Sequence, residues 1–367
     1  MRILAINVGS SSVKCSFFEA LDQITERWQA QGSVSSPEAL KDALPGLLGP
    51  LWGMAGSPHD LDAVAHRIVH GGIAYRETTW LTPEVRDAIA AQAEFAPSHN
   101  RLELAAIEAM DRLLSDQKDR QIAVFDTAFH ATIAPEAYVY PGPYEWFEQG
   151  IRRFGFHGIS HAHAARRAAE LLGKPLESLR LITCHLGNGC SLAAIRGGKS
   201  VDTTMGFTPA DGLMMGTRCG SLDPGIPVYL LRHSASFIKD DRADDLDRVF
   251  NRESGLKGIS GISGDMREIL AAIETGNARA KLAFDMYAHR LCREVGAMLV
   301  ALGGLDAIVF TGGVGENCAP LRERVLEQLG FLGSVRALVV KAEEEQQMAR
   351  ECCRLLSNHP ELLRKGL

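Results

Sequence analysis

The opening stretch constrains the fold more than any other. Ile3-Leu4-Ala5-Ile6-Asn7-Val8 and Val13-Lys14-Cys15-Ser16-Phe17-Phe18 are apolar runs around Gly9-Ser10-Ser11-Ser12. Two such runs about a small polar turn predict a β-hairpin, with Asn7 at the end of its first strand and Lys14 in its second. A turn of small residues lets backbone N–H groups approach an anion, and its hydroxyls add donors. Lys14 adds a positive charge, and Asn7 offers a neutral oxygen to a metal. These are parts for holding nucleoside phosphates, and they equally make an ordinary N-terminal hairpin with a polar tip.

Two other glycine clusters do not qualify as phosphate loops. Gly197-Gly198-Lys199-Ser200 resembles the end of G-x-x-x-x-G-K-[ST], but the first required glycine is Ala193 and the context is strand-like. Gly187-Asn188-Gly189 begins like a dinucleotide fingerprint, but the third glycine position is Leu192. A net charge of -6 with no basic run argues against nucleic acid as a partner. The eight cysteines are scattered without a CxxC pair, and adjacent Cys352 and Cys353 make poor bridge geometry, so they read as reduced cytosolic thiols and the chain as cytoplasmic. The N-terminal apolar run is too short for a signal peptide. The nearest thing to a membrane span, Val295 to Gly315, contains Asp306 and a Gly303-Gly304 break, and is expected to be helix, turn and buried strand.

Strands and helices alternate over 367 residues, which predicts an α/β chain of two domains or one duplicated one. Expected helices run from Thr82-Pro83 to about Phe95, Leu102 to Leu114, Ser160 or His161 to Gly173, Ala280 to Leu302, Leu321 to Leu329, and Glu343 to Leu356. Tyr287, Leu291, Val295, Met298 and Leu302 form one stripe of the longest. Expected strands are Gln121–Phe125, Leu181–His185, Cys190–Ile195 and Asp306–Thr311. The strand–turn–strand units near residues 10 and 188 suggest an internal duplication.

Further segments are polar where chemistry would want them. Arg67 lies in the apolar Ala65-His66-Arg67-Ile68-Val69-His70-Gly71-Gly72, and Asp126 ends the strand before Thr127-Ala128-Phe129-His130. His157 is bracketed by glycines in Phe154-Gly155-Phe156-His157-Gly158. Arg218 sits in the long glycine-rich loop from Gly206 to Gly225. With Thr183-Cys184-His185-Leu186-Gly187-Asn188-Gly189 and the opening hairpin, these motifs resemble, in order, the acetokinase family of the actin, heat-shock ATPase and sugar-kinase superfamily. The resemblance extends from residue 3 to about 332 and resumes weakly near the C-terminus.

It implies two similar ribonuclease H-like (actin-like ATPase) domains around a central nucleotide cleft that closes to exclude water. One would span 1–126 plus about 346–367. The other, 127–345, would carry the adenosine site and the dimer interface of a homodimer. The implied reaction is reversible, magnesium-dependent transfer of the ATP γ-phosphoryl group to acetate, giving acetyl phosphate and ADP in line, with Mn²⁺ able to replace Mg²⁺. Asn7, Ser10, Ser12 and Lys14 would sit at the phosphates and metal. Arg67 and Arg218 would bind the carboxylate and the transferring group, His157 would donate to it, and Asp126 would orient the arginines or substrate. His185, Leu186, Gly187, Asn188 and Gly189 would form a second phosphate clamp. Asp265, Met266 and Arg267 would flank the adenosine, and Gly313, Val314, Gly315, Glu316 and Asn317 would shape its pocket. Val69, Ser98, Phe156 and Pro209 would line the acyl pocket.

The chemistry supports this cast. Phosphoryl transfer to a carboxylate joins two anions, which cations must first neutralise. Arginine's fork suits both. Acetate is ionised at pH 7, so Asp126 reads as an orienting group rather than a base. Taken singly, Arg67 also fits a structural ion pair and Asp126 a turn cap. His157 and His161 lack the Glu of H-E-x-x-H, so zinc is not expected. His130, His163 and His289 read as structural.

The chain departs from the family pattern in places. Ser98-His99-Asn100-Arg101 replaces Leu-His-Asn-Pro, which would enlarge the acyl pocket. About thirty residues before the last helix are missing, and Ala342-Glu343-Glu344-Glu345 replaces Thr-Asn-Glu-Glu, leaving Glu344 as the metal-associated glutamate. Propionate kinase shares the motifs. A non-catalytic ATP-binding regulator need not keep the acyl-phosphate residues, and a sugar kinase needs an aspartate base and a polar pocket.

Overall fold

The opening residues form the expected hairpin. Strands β1 (Arg2–Val8) and β2 (Ser12–Ala20) pair antiparallel from Arg2–Glu19 to Val8–Val13. The structure is a computed structural model. It describes residues 1–9, 11–21, 23–92, 97–115, 117–233 and 242–359, without the side chains of 97–99 and 242. The chain divides into two units, Met1–Ala131 with Phe156–His163 and Glu343–Leu367, and Thr132–Gly155 with Ala164–Ala342.

In the first unit, β3 (Ile24–Ser33), β4 (Ala63–Ile68), β5 (Thr79–Trp80) and β6 (Gln121–Phe125) complete a six-stranded sheet of order β3-β2-β1-β4-β6-β5. β4 lies parallel to β1 and to β6. Side chains alternate between faces along each strand. Leu4, Ile6, Val8, Val13, Cys15, Phe17 and Val64 therefore pack on the helices Pro37–Ala55 and Pro97–Leu114 through Leu40, Leu44, Leu48, Leu102, Ala106 and Met110. Ile3, Ala5, Phe18, Ala63, Ala65, Ile122 and Val124 face the other way, against Met348, Ala349, Cys352 and Leu356 of the helix Glu344–Asn358.

In the second unit, β7 (Arg180–Leu186), β8 (Cys190–Arg196), β9 (Lys199–Thr203), β10 (Ala307–Thr311) and β11 (Ala337–Val339) form a sheet of order β11-β10-β7-β8-β9. Its opening strand also pairs antiparallel with the next strand and parallel with a later one. Thus β9-β8-β7-β10-β11 repeats the sequence of pairings in β3-β2-β1-β4-β6. This is the duplication suggested by the two hairpins, and the α/β expectation holds in both units. Gly197 and Gly198, both at positive φ, make the turn from β8 to β9, which accounts for their likeness to a phosphate loop.

The helices Pro83–Ala91, Gly158–Leu172, Ala278–Leu302 and Ala319–Gln328 match their expected places within a few residues. Thr82 caps the first of these through the Val85 N–H. The stripe from Tyr287 to Leu302 is buried as its spacing implies. Gly312–Asn317, after the last residue of β10, forms a short helix. Among the described residues no helix is long and apolar enough to cross a membrane.

Candidate active site

Alternation that buries Ala5, Ala65 and Val124 on one face of the first sheet also sends Asn7, Lys14, Arg67 and Asp126 to that face. There they meet the first turn of Glu344–Asn358. Asn7 Nδ2 donates to Glu344 Oε2 at 2.9 Å and Glu345 Oε1 at 2.8 Å, and Lys14 Nζ donates to Glu345 Oε2 at 2.6 Å. Arg67 Nη1 donates to Asn7 Oδ1 at 3.2 Å, while Nε and Nη2 donate to Asp126 Oδ2 at 3.1 and 2.6 Å. Five residues far apart in sequence thus form one connected network with Glu345, a participant that sequence reasoning missed. The acidic run pointed to this place, but only one of its carboxylates was expected to reach the site, and two reach Asn7.

Burial sets the electrostatics. Arg67 is 12% exposed and Asp126 1%. Burial opposes the charge on Arg67, but Asp126 and Glu344 outweigh it and hold the guanidinium pKa above its ordinary value. For Lys14, too, burial is outweighed by Glu345, Glu26 and Glu344, and its pKa is raised. Asp126 Oδ1 is buried and accepts no hydrogen bond among the described residues. Asp126 is held rigidly by its backbone, whose N–H donates to Ile68 O and whose carbonyl accepts from Gly158 N, at 2.9 and 2.8 Å.

His157 precedes Gly158 with φ 57°, a left-handed conformation that non-glycine residues adopt at a cost. Phe156 and Val69 are buried in the same unit, and Phe156 packs edge-on against His70. Val69 N donates to both carboxyl oxygens of Glu103, each at 3.1 Å. Glu103 is a second residue the sequence reading overlooked, although it stands four before Ile107 on an apolar helix face. Ser12 opens β2, and its carbonyl accepts from Gly9 N at 2.8 Å. Ser10 lies outside the described residues. Ser98 falls in the helix Pro97–Leu114, but its side chain lies outside them.

In the second unit, His185 and Leu186 end β7, and Gly187-Asn188-Gly189 forms the tip, closed by Gly187 N donating to Gly189 O at 3.0 Å. Three expected segments converge on this hairpin. Gly216 N donates to Asn188 O, and a Cβ on Gly216 would lie 2.6 Å from Asn188 Oδ1 and 2.9 Å from Gly264 O. A Cβ on Gly312, at φ 78°, would meet Leu186 O at 2.8 Å. Glu316 Oε1 braces that turn by accepting from Gly312 N and Ala342 N, and Asn317 Nδ2 donates to Gly313 O. Gly313 is exposed, Val314 half-buried and Gly315 buried.

Asp265 caps the helix Met266–Glu274 and pairs with Arg267, whose hydrogen bond lowers the carboxyl pKa. Arg267 is 89% exposed, and the Met266 side chain is buried. Arg218 Nη1 donates to Pro209 O at 3.2 Å. Pro209 therefore belongs to a different unit from Val69 and Phe156, the other expected members of the acyl pocket.

Comparisons with known proteins agree with one another. The model of the acetokinase family matches residues 33–354. An acetate kinase of Synechococcus sp. (strain JA-2-3B'a(2-13)) is 48% identical over 408 aligned residues, covering 97% of this chain and 99% of its own. That alignment is longer than the 367-residue chain, so the relative carries residues this chain lacks. The crystal structure of Porphyromonas gingivalis acetate kinase has a TM-score of 0.85 at 36% identity, covering 97% of this chain and 99% of that one. A propionate kinase from Francisella tularensis subsp. tularensis SCHU S4 reaches 0.80 at 31%, covering 95% and 98%. With the family model spanning most of the sequence and a full-length relative near half identity, the chain has the actin-like ATPase fold, belongs to the acetokinase family and is a phosphotransferase with a carboxyl group as acceptor.

Proposed function

We propose that the enzyme transfers the γ-phosphoryl group of ATP to acetate, reversibly, giving acetyl phosphate and ADP by direct in-line displacement. The observation that supports this most is the Arg67 fork. Asp126 takes two of its N–H groups on one oxygen, which fixes the buried guanidinium in place beside Asn7. Two anions can approach only where such charge is already in place. Acetate needs no deprotonation at pH 7, and an Asp126 already engaged by Arg67 suits orientation better than base catalysis. Arg218 supplies a second cation to the acceptor and the transferring group. His157 donates to an equatorial oxygen of that group; its costly backbone is the kind of feature that clusters at working sites.

Ser10, Ser12 and Lys14 take the ATP phosphates, as do His185 to Gly189. Asp265, Met266 and Arg267 with Gly313 to Asn317 take the nucleoside. The family uses ATP. The Glu344 and Glu345 carboxylates and the Asn7 amide oxygen are all oxygen ligands, although here Asn7 Oδ1 accepts from Arg67 and Nδ2 faces the two carboxylates. The three carboxylates Asp126, Glu344 and Glu345 stand against the two cations Arg67 and Lys14. That chemistry fits Mg²⁺, or Mn²⁺ in its place. Asn7 and Glu344 would hold the ion, which neutralises phosphate oxygens when bound.

The same proposal includes two functional domains, 1–126 with about 346–367 and 127–345, and a homodimer. All eight cysteines are free, which supports a cytoplasmic location. Likeness to a propionate kinase favours a second reading, in which propionate is the better acceptor. A hydroxamate assay of acyl phosphate formation with formate, acetate, propionate and butyrate decides between them. Acetate should give the highest kcat/KM; a propionate preference selects the second reading, and no acyl phosphate from any acid refutes both.

A further inference from the structure

We infer that Glu103 is a positioning residue for the acceptor: from the helix Pro97–Leu114 it holds the peptide N–H of Val69, and so sets Arg67 and the apolar wall of the acyl pocket. The inference rests on the phosphotransfer reading above. The ladder between β4 and β6 ends at Ile68–Phe125, and Asp126 N takes the Ile68 carbonyl. Val69 N is the next donor along the strand, and Val69 is buried, so water does not serve it. Both Glu103 oxygens lie 3.1 Å from it.

The turn that follows is tightly held. Gly71 N donates to Thr127 Oγ1 and Gly72 N to His70 Nδ1. A Cβ on Gly71 would meet Tyr75 O at 2.5 Å and the Phe125 ring at 2.9 Å. A loosened Val69 peptide is thus displaced against Arg67 rather than absorbed by the turn.

A neutral amide would serve a lone N–H at less cost than a buried carboxyl. Burial explains how the carboxyl is tolerated, because it favours the neutral form. Burial pushes Glu103 up to about 8, against the pull of Arg67 and the Val69 N–H, and Asp126 adds to the rise. At neutral pH the group is therefore mostly protonated. It leaves the Arg67 charge to Asp126 and the acceptor, and ionising it would set a negative charge against the incoming carboxylate.

The test compares full-length wild type, Glu103→Ala and Glu103→Gln. The readouts are kcat, KM for acetate and for ATP separately, thermal stability, and kcat/KM for acetate from pH 6 to 9.5. Losing the acceptor of a buried N–H should lower kcat/KM for acetate about tenfold or more in the alanine variant, with KM for ATP held within about twofold. Glutamine keeps an acceptor for Val69, so it should recover to within about threefold; wild type should lose activity near pH 8 as Glu103 ionises, and the glutamine variant should not. Wild-type acetate kinetics in a folded alanine variant overturn the inference, as do equal losses toward ATP and acetate. If the alanine variant does not fold, an unchanged alkaline fall in the glutamine variant overturns it. Wild type inert toward every carboxylate overturns the inference together with the phosphotransfer reading beneath it, whereas an active wild type with any of the overturning results just named overturns the inference alone.

Discussion

Gly158→Ala is expected to disable the enzyme through a residue that carries no chemistry. A Cβ at this position would lie 2.2 Å from Asp126 O, 2.9 Å from Phe129 Cβ and 3.2 Å from Asp126 C. The obstacle is backbone, and the Gly158 N–H already donates to the same carbonyl at 2.8 Å. Relief requires the Asp126 peptide to retreat by roughly 1 Å, and misplacement of that size at a catalytic group costs about a hundredfold. The 2.6 and 3.1 Å bonds from Arg67 to Asp126 would stretch with it. Overpacking should also destabilise the fold by about 1–3 kcal/mol. The assay is kcat for acetyl phosphate synthesis beside chemical denaturation. Gly296→Ala provides a control: its Cβ meets nothing within 4 Å in the helix Ala278–Leu302, and it should stabilise by about 0.5–1 kcal/mol. A Gly158→Ala enzyme with wild-type stability and turnover would refute the reasoning, since the Asp126 peptide would then be free to move at no cost.

Other expectations follow from the same geometry. Arg67→Ala and Arg218→Ala should each lower turnover about a hundred- to a thousandfold with ATP binding largely kept, as measured by steady-state kinetics and nucleotide titration. Glu344→Gln should raise the magnesium requirement, while Glu345→Gln, which also breaks the 2.6 Å pair to Lys14, should raise KM for ATP as well; equal small losses in both would leave only a helix-end role. For Glu103, the folded state holds its proton to higher pH than the unfolded state does. Stability should therefore fall as pH rises from about 4.3, the ordinary glutamate value, to about 8, by at most about 1.4 kcal/mol per pH unit, and Glu103→Gln should remove that slope in denaturation curves. Ser98→Leu should shift acyl preference from propionate toward acetate by roughly 1–3 kcal/mol, read as the ratio of kcat/KM values.

Much of the fold could be read from local pattern. The hairpin about residues 9–11 and the stripe from Tyr287 to Leu302 follow from periodicity alone, because each has one apolar face. The helix Pro37–Ala55 is hidden by Pro45 and Pro50, which sit on its exposed side while Leu40, Leu44, Leu48 and Leu51 are buried. Asn7, Lys14, Arg67 and Asp126 stand out as polar residues in or just after apolar strands. That they share a sheet face depends on strand order, which no local pattern carries. That both Glu344 and Glu345 reach Asn7 depends on how Met348 and Cys352 dock the helix that carries them. Glu103 shares an apolar helix face with Ile107, but the peptide N–H it meets belongs to Val69, 34 residues away, and no local pattern names it. The left-handed backbone of His157 is likewise invisible without the Gly158–Asp126 contact.

The helix Glu344–Asn358 covers the face of the sheet to which Ile3, Ala5, Phe18 and Val124 belong. Asn7 waits for Glu344 across 337 residues of chain. At a translation rate of about 5–20 residues per second, roughly 20–70 seconds separate the two on the ribosome. Throughout that interval the earliest strands have one apolar surface bare, and Asn7 and Lys14 lack Glu344 and Glu345. The segments of the second unit between residues 164 and 342 emerge in the meantime, with their whole sheet available. The nascent enzyme should therefore acquire its second sheet while the first is still unfinished, and chains stalled before the last helix are the ones that chaperones and proteases should find first.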